Sequence, residues 1–250
     1  MPAFEREDVS IYYEEHGNKS GFPLMLLPPG GMDATVDRWK RMAFAPIERF
    51  GEYRVIVLDK RNAGRSRGPL DLDDPWGGYA NDQLGLAAYL GFDRFHVVGQ
   101  CIGSSYALTL AKRVPERIAS AVLVQPIGLD DSNRAHWPDM KRFLASHFCE
   151  AWAEELLRKR PELDMATLEK FALGMFSGQF VFSVSREDVR SCTTPLLVLP
   201  GIDPVHPGTI GREVAQLARN AEMIDEWKGP ELIPKAVERV QGFLKTHTPT

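Results

Sequence analysis

Apolar residues in this chain gather into short unbroken runs, at residues 23–27, 54–59, 95–98, 118–124 and 195–199. Each run is too short for a buried helix and stops at glycine, proline or a polar turn, so each predicts a strand buried on both faces. Residues 8–15 differ: Val9, Ile11 and Tyr13 alternate with more polar neighbours, which predicts an exposed strand at a sheet edge. A further short strand is expected at 222–227, and helical spacing fills 39–50, 79–90, 104–114, 212–218 and 234–245. Strands alternating with helices imply an α/β fold, with a mainly parallel central sheet and helices on both faces.

The alternation breaks between residues 128 and 194, where helical segments near 138–160 and 165–176 carry the anchors Trp137, Phe148 and Trp152. Residues 1–127 and 195–250 therefore read as one core, with 128–194 inserted as a helical lid. Long insertions in compact domains are usually functional, although a plain set of connecting helices would give the same pattern.

The stretch from Phe95 to Ser105, F-H-V-V-G-Q-C-I-G-S-S, runs a buried strand straight into a helix through a very sharp turn. Gly99 and Gly103 flank the turn because its middle residue, Cys101, sits in a strained conformation that leaves no room for neighbouring side chains. The spacing is that of a nucleophile elbow with cysteine in place of serine. Read without this context, Cys101 would be a small apolar residue under a helix.

With the loop Pro28-Pro29-Gly30-Gly31, the turn D-K-R-N-A-G-R-S and the loop G-I-D-P-V-H-P, the elbow resembles the α/β-hydrolase superfamily along essentially the whole chain. That resemblance implies Cys101 as nucleophile and Asp203 as the acid that orients a base. It implies an oxyanion hole made by the N–H of Ile102 and an N–H from Gly31 or Met32. In the superfamily the base is a histidine after the last strand, yet that loop here reads Trp227-Lys228-Gly229-Pro230-Glu231-Leu232.

A serine without a base is inert, whereas a thiol ionises on its own at a helix amino terminus. His206, three residues beyond Asp203 and on the same rim of the sheet, is the candidate base, with Glu226 as the fallback. If the acid strand stands two places from the elbow strand, about 10 Å separates them, which side chains can close. His96 lies in the elbow strand and reads as structural, while His136 and His147 belong to the insertion. Lys60, Arg61, Arg65 and Arg67 read as a solvated turn or an anion-attracting edge, and Phe176, Phe180 and Phe182 as pocket lining or packing.

A net charge of −4 and a pI near 5.9 give no basic field for nucleic acid or an anionic membrane. No apolar run approaches a membrane span, and the polar, acidic start is unlike a signal peptide, so the cytoplasm is the expected place. Three widely spaced cysteines suggest neither a disulfide framework nor a zinc site, and no metal or other cofactor is expected. The expected function is hydrolysis of a small ester, thioester or lactone through a cysteine acyl-enzyme. Acyl transfer and a non-catalytic sensor on the same fold are the alternatives, and the oligomeric state, a homo-oligomer included, stays open.

Overall fold

A computed structural model of the chain describes residues 2–44, 46–134, 139, 142 and 149–249. His136, Trp137, His147 and Phe148, and most of 138–148 in the helix expected over 138–160, lie outside the described residues.

The strands are β1 (Ala3–Arg6), β2 (Val9–Gly17), β3 (Pro23–Leu27), β4 (Arg54–Leu58), β5 (Phe95–Gln100), β6 (Ile118–Val124), β7 (Leu196–Leu199) and β8 (Ala221–Met223). They form one 8-stranded sheet in the order β1-β2-β4-β3-β5-β6-β7-β8. From β4 to β8 every pairing is parallel, and only β1 and β2 run antiparallel to their neighbours. Continuous apolar runs make this arrangement: all six residues of β5 and all seven of β6 are buried. Alternate residues feed the two faces, Met25, Ile56 and Val97 on one, Leu24, Val55 and Val98 on the other.

Two edges differ from the sequence reading. β2 is interior, because the short strand Ala3–Arg6 folds back on it through a turn with Glu7 at φ 53° and buries Phe4. At the far side β8 ends at Met223, since Trp227 leaves the sheet to donate its indole N–H to the Pro200 carbonyl at 2.7 Å.

Within 128–194 the described helices are Asp131–Arg134, Glu150–Lys159, Met165–Met175 and Arg186–Ser191. The last, closed by a capping box between Ser185 and Asp188, was not legible as a separate helix. These pieces dock on the core: Trp152 Nε1 donates to Asn62 O at 2.6 Å, Trp76 Nε1 to Met175 O at 3.1 Å, and Ser105 Oγ to Val181 O at 2.8 Å. Phe176, Phe180 and Phe182 are all buried in this packing.

His96 is structural. It is wholly buried, its Nδ1 meets Ser120 Oγ at 2.8 Å and its Nε2 Thr248 Oγ1 at 3.0 Å. Burial, helped by His247 and Arg94, pushes its pKa from 6.5 down to about 3. The unfolded chain therefore binds a proton below pH 6.5 that the folded chain refuses until about pH 3. His96→Gln is expected to remove up to about 2 kcal/mol of the stability lost between about pH 7 and 5, read from urea midpoints at the two values.

Candidate active site

Cys101 stands between β5 and the helix Ile102–Arg113 at φ 58° and ψ −121°. The sequence makes this turn through its two glycines. A Cβ on Gly99 would lie 2.1 Å from Gly103 O, and one on Gly103 would lie 2.1 Å from Leu27 O, both backbone atoms that cannot move aside. The Cys101 N–H is tied to Val124 O at 3.0 Å, and Ser104 Oγ donates to Gly99 O at 2.9 Å. Gly103→Ala is expected to force β3 off the elbow helix and to cost about 3 kcal/mol or more, measured as a fall in melting temperature.

β7 is two places from β5, with β6 between them, as the reach of His206 requires. The loop after β7 turns on Asp203, whose Oδ1 accepts the backbone N–H groups of Val205 (3.1 Å) and His206 (2.9 Å). The same carboxylate meets His206 Nδ1 at 2.8 and 3.0 Å. The ring N–H donated to it leaves Nε2 as the reactive nitrogen. Nε2 is buried without a partner in good hydrogen-bond alignment, and lies close enough to the Cys101 sulfur for the pair's charges to be the largest influence opposing burial on each.

The electrostatics favour a thiolate beside an imidazolium. Burial raises the Cys101 thiol, but the His206 cation and the N–H groups of Ile102 and Gly30 outweigh it, and the net shift is downward. Burial likewise opposes the charged His206 ring, yet the Cys101 thiolate and Asp203 carry its pKa up to about 9. Asp203, hydrogen-bonded to that ring, falls to about 2. Cys149 and Cys192 behave oppositely: both are buried, and burial pushes Cys149 to about 12 and Cys192 upward.

The N–H groups that bond the Cys101 sulfur are those of Ile102 and Gly30, whereas the resemblance implies Ile102 with Gly31 or Met32 as donors to an oxyanion. Gly31 is the first residue of a 3₁₀ turn, Gly31–Asp33, and its carbonyl is turned inward to Lys60. Pro28 and Pro29 have no N–H, so the first donor available after β3 is that of Gly30.

Glu226 is exposed and, among the described residues, makes no side-chain hydrogen bond or ion pair that would bring it to Cys101. In the loop after the last strand, Lys228 Nζ lies 3.9 Å from Asp203 Oδ2. Nor is the 60–67 turn a solvated basic edge. Lys60 and Arg61 are buried, Arg61 is paired with Asp82 at 2.5 Å and Arg65, though exposed, with Asp59 at 2.8 Å, and Arg67 is the most exposed of the four. Among the described residues no three His, Cys, Asp or Glu side chains cluster as metal donors, and no helix is long and apolar enough to cross a membrane.

Among proteins of known activity, the chain is 30% identical over 169 residues to N-formylmaleamate deformylase of Pseudomonas putida, covering 62% of this chain and 60% of the deformylase. It is 32% identical over 115 residues to proline iminopeptidase of Xylella fastidiosa, covering 45% of this chain and 35% of the peptidase. The chain thus spans little more than half of one relative and about a third of the other. The solved meta-cleavage product hydrolase of Pseudomonas fluorescens IP01 superposes with a TM-score of 0.68 over 96% of both chains at 21% identity, a likeness of fold. The profile of the alpha/beta hydrolase fold family matches residues 23–190, and the chain belongs to that family.

Proposed function

We propose that this protein is a cofactor-independent hydrolase of small esters, thioesters or lactones that works through a Cys101 acyl-enzyme. The observation that carries the reading is the convergence on one sulfur of the Asp203-held His206 ring and the N–H groups of Ile102 and Gly30. The relatives support hydrolysis as the reaction class: they are named as a deformylase and a peptidase.

The Cys101 thiolate attacks the acyl carbon, a C–S bond forms, and the carbonyl π pair moves onto oxygen between the Ile102 and Gly30 N–H groups. Collapse expels the leaving group, which takes the proton from His206 Nε2. The neutral ring then removes a proton from water, whose oxygen attacks the thioester. Collapse of that adduct releases the acid and returns the thiolate, with His206 protonated as at the start. Asp203 keeps the ring in one orientation throughout.

In this reading residues 128–194 form the lid. Support comes from their seat over the 59–68 turn and the elbow helix, through Trp152, Arg160 and Val181. A cavity of about 670 Å³ opens beside the lid helices, lined by Trp152, Leu168 and Ala172. Neither Cys101 nor His206 lines it, so it is not assigned as the acyl site. A thiolate enzyme has to be kept reduced, which suits the cytoplasm.

The test is a burst experiment with p-nitrophenyl acetate. A stoichiometric burst, with an acetyl group mapped by mass spectrometry to the peptide holding Cys101, is the expected result. Turnover with the label elsewhere, or none, contradicts the reading. If an added alcohol or amine takes the acyl group faster than water, the enzyme is an acyltransferase.

A further inference from the structure

We infer that Lys60 is a positioning residue for the oxyanion loop: its amine, held on the Gly31 carbonyl, fixes the turn that delivers the Gly30 N–H to Cys101. The inference rests on the reading of Cys101 as nucleophile.

Lys60 follows β4 and is 3% exposed. Its backbone N–H donates to Ala34 O at 2.9 Å and its Nζ to Gly31 O at 3.1 Å, so one residue ties both ends of the Gly31–Ala34 turn. The turn needs such a tie. Gly30 and Gly31 both have positive φ, at 121° and 59°, and a stretch with so much backbone freedom wanders unless held.

Among the described residues the amine has no ion-pair partner, whereas Arg61 and Arg65 in the same turn each have a carboxylate. Instead it sits 4.4 Å from the Tyr79 ring and 5.5 Å from the Tyr106 ring. Tyr106 belongs to the elbow helix, so Lys60 joins the oxyanion loop to the element that supplies the other donor, Ile102. A methionine would fill the same space at a smaller desolvation cost, and what the amine adds is the bond to Gly31.

A receptor for a substrate anion does not fit. The void shared by Lys60, Tyr79 and Tyr106 holds about 10 Å³, room for one water at most. Burial, against the pull of Cys149 and Asp33, brings the amine's pKa to about 7, so its charge changes near neutrality. The other groups around it are Asp33, Cys149, Tyr79, Tyr106 and the Arg61–Asp82 pair.

The test is Lys60→Met, with two readouts: the pH dependence of Cys101 alkylation by iodoacetamide, and steady-state hydrolysis of p-nitrophenyl acetate. A looser Gly30 N–H raises the Cys101 pKa and lowers kcat about 10- to 100-fold with KM little changed. An activated wild-type Cys101 whose pKa and kcat are unmoved in Lys60→Met overturns this inference alone. A wild-type Cys101 no more reactive than Cys149 and Cys192 overturns the nucleophile reading and this inference with it.

Should Lys60→Met not fold, the amide resonances of Gly30 and Met32 are followed in Cys101→Ala/His206→Asn, which lacks the thiolate–imidazolium pair. Both resonances are expected to shift as Lys60 titrates, and resonances that stay flat over the whole pH range in which the protein is folded overturn the inference.

Discussion

Replacing His206 with alanine lowers kcat/KM for an activated ester by about 10²- to 10⁴-fold and moves the ionisation of Cys101 to higher pH. The first effect follows from the loss of the proton donor to the leaving group and of the base for water. The second follows from the electrostatics of the pair, since the His206 cation is the largest influence opposing burial at Cys101. The pH profile carries a signature of its own. Activity of the native protein is expected to rise as the thiol ionises and to fall as His206 loses its proton near pH 9. In His206→Ala the acid limb shifts upward and the alkaline limb is gone. Glu226→Gln leaves both limbs in place, because Glu226 is exposed and, among the described residues, makes no side-chain hydrogen bond or ion pair. A profile in His206→Ala that keeps its alkaline limb, or a rate within threefold of native, would sink the assignment of the base.

Cys101→Ala abolishes turnover, a loss on the order of 10⁴-fold or more in kcat, and leaves no acyl group on the protein. Only the residual effect of the two N–H donors on bound substrate remains. Cys101→Ser is expected to fall between the two. A hydroxyl does not ionise beside a histidine as a thiol does, so attack has to wait for a neutral ring. The ring is more often neutral in that variant, because the Cys101 thiolate is the largest influence raising His206. Steady-state assays of the two variants, with intact-protein mass spectrometry after quenching, separate them. Native-like turnover in Cys101→Ala would mean that the acyl carbon is attacked by water directly.

The sequence carried the sheet because parallel strands buried on both faces leave continuous apolar runs, and every such run became a strand. It carried the elbow for a related reason: backbone clashes at Gly99 and Gly103 forbid any other residue, so the turn is written in two glycines. Cys101 and the Asp203–His206 loop share one rim because β5 and β7 are separated by a single strand, which strand alternation and loop chemistry together imply.

What was not legible depends on direction and burial. That the Gly30 N–H reaches the Cys101 sulfur depends on which way a glycine-rich loop winds, and glycines leave that open. Lys60 reads as one more charge in a basic turn, and only tertiary packing shows it enclosed by Tyr79 and Tyr106. The edge strands were misjudged because their pattern is short and their partners distant: Ala3–Arg6 is recognisable only once paired with β2. The shortening of β8 likewise depends on the reach of the Trp227 indole to Pro200.

The central claim is that His206 and the two N–H groups hold Cys101 as a thiolate. It is tested without any substrate by measuring iodoacetamide alkylation of each cysteine against pH, in the native protein and in His206→Ala. Cys149 and Cys192, whose burial raises their pKa values, are internal references. The account predicts that Cys101 labels at a pH where the other two do not, and that His206→Ala moves its titration upward. A native Cys101 that stays unreactive until the protein unfolds would contradict it.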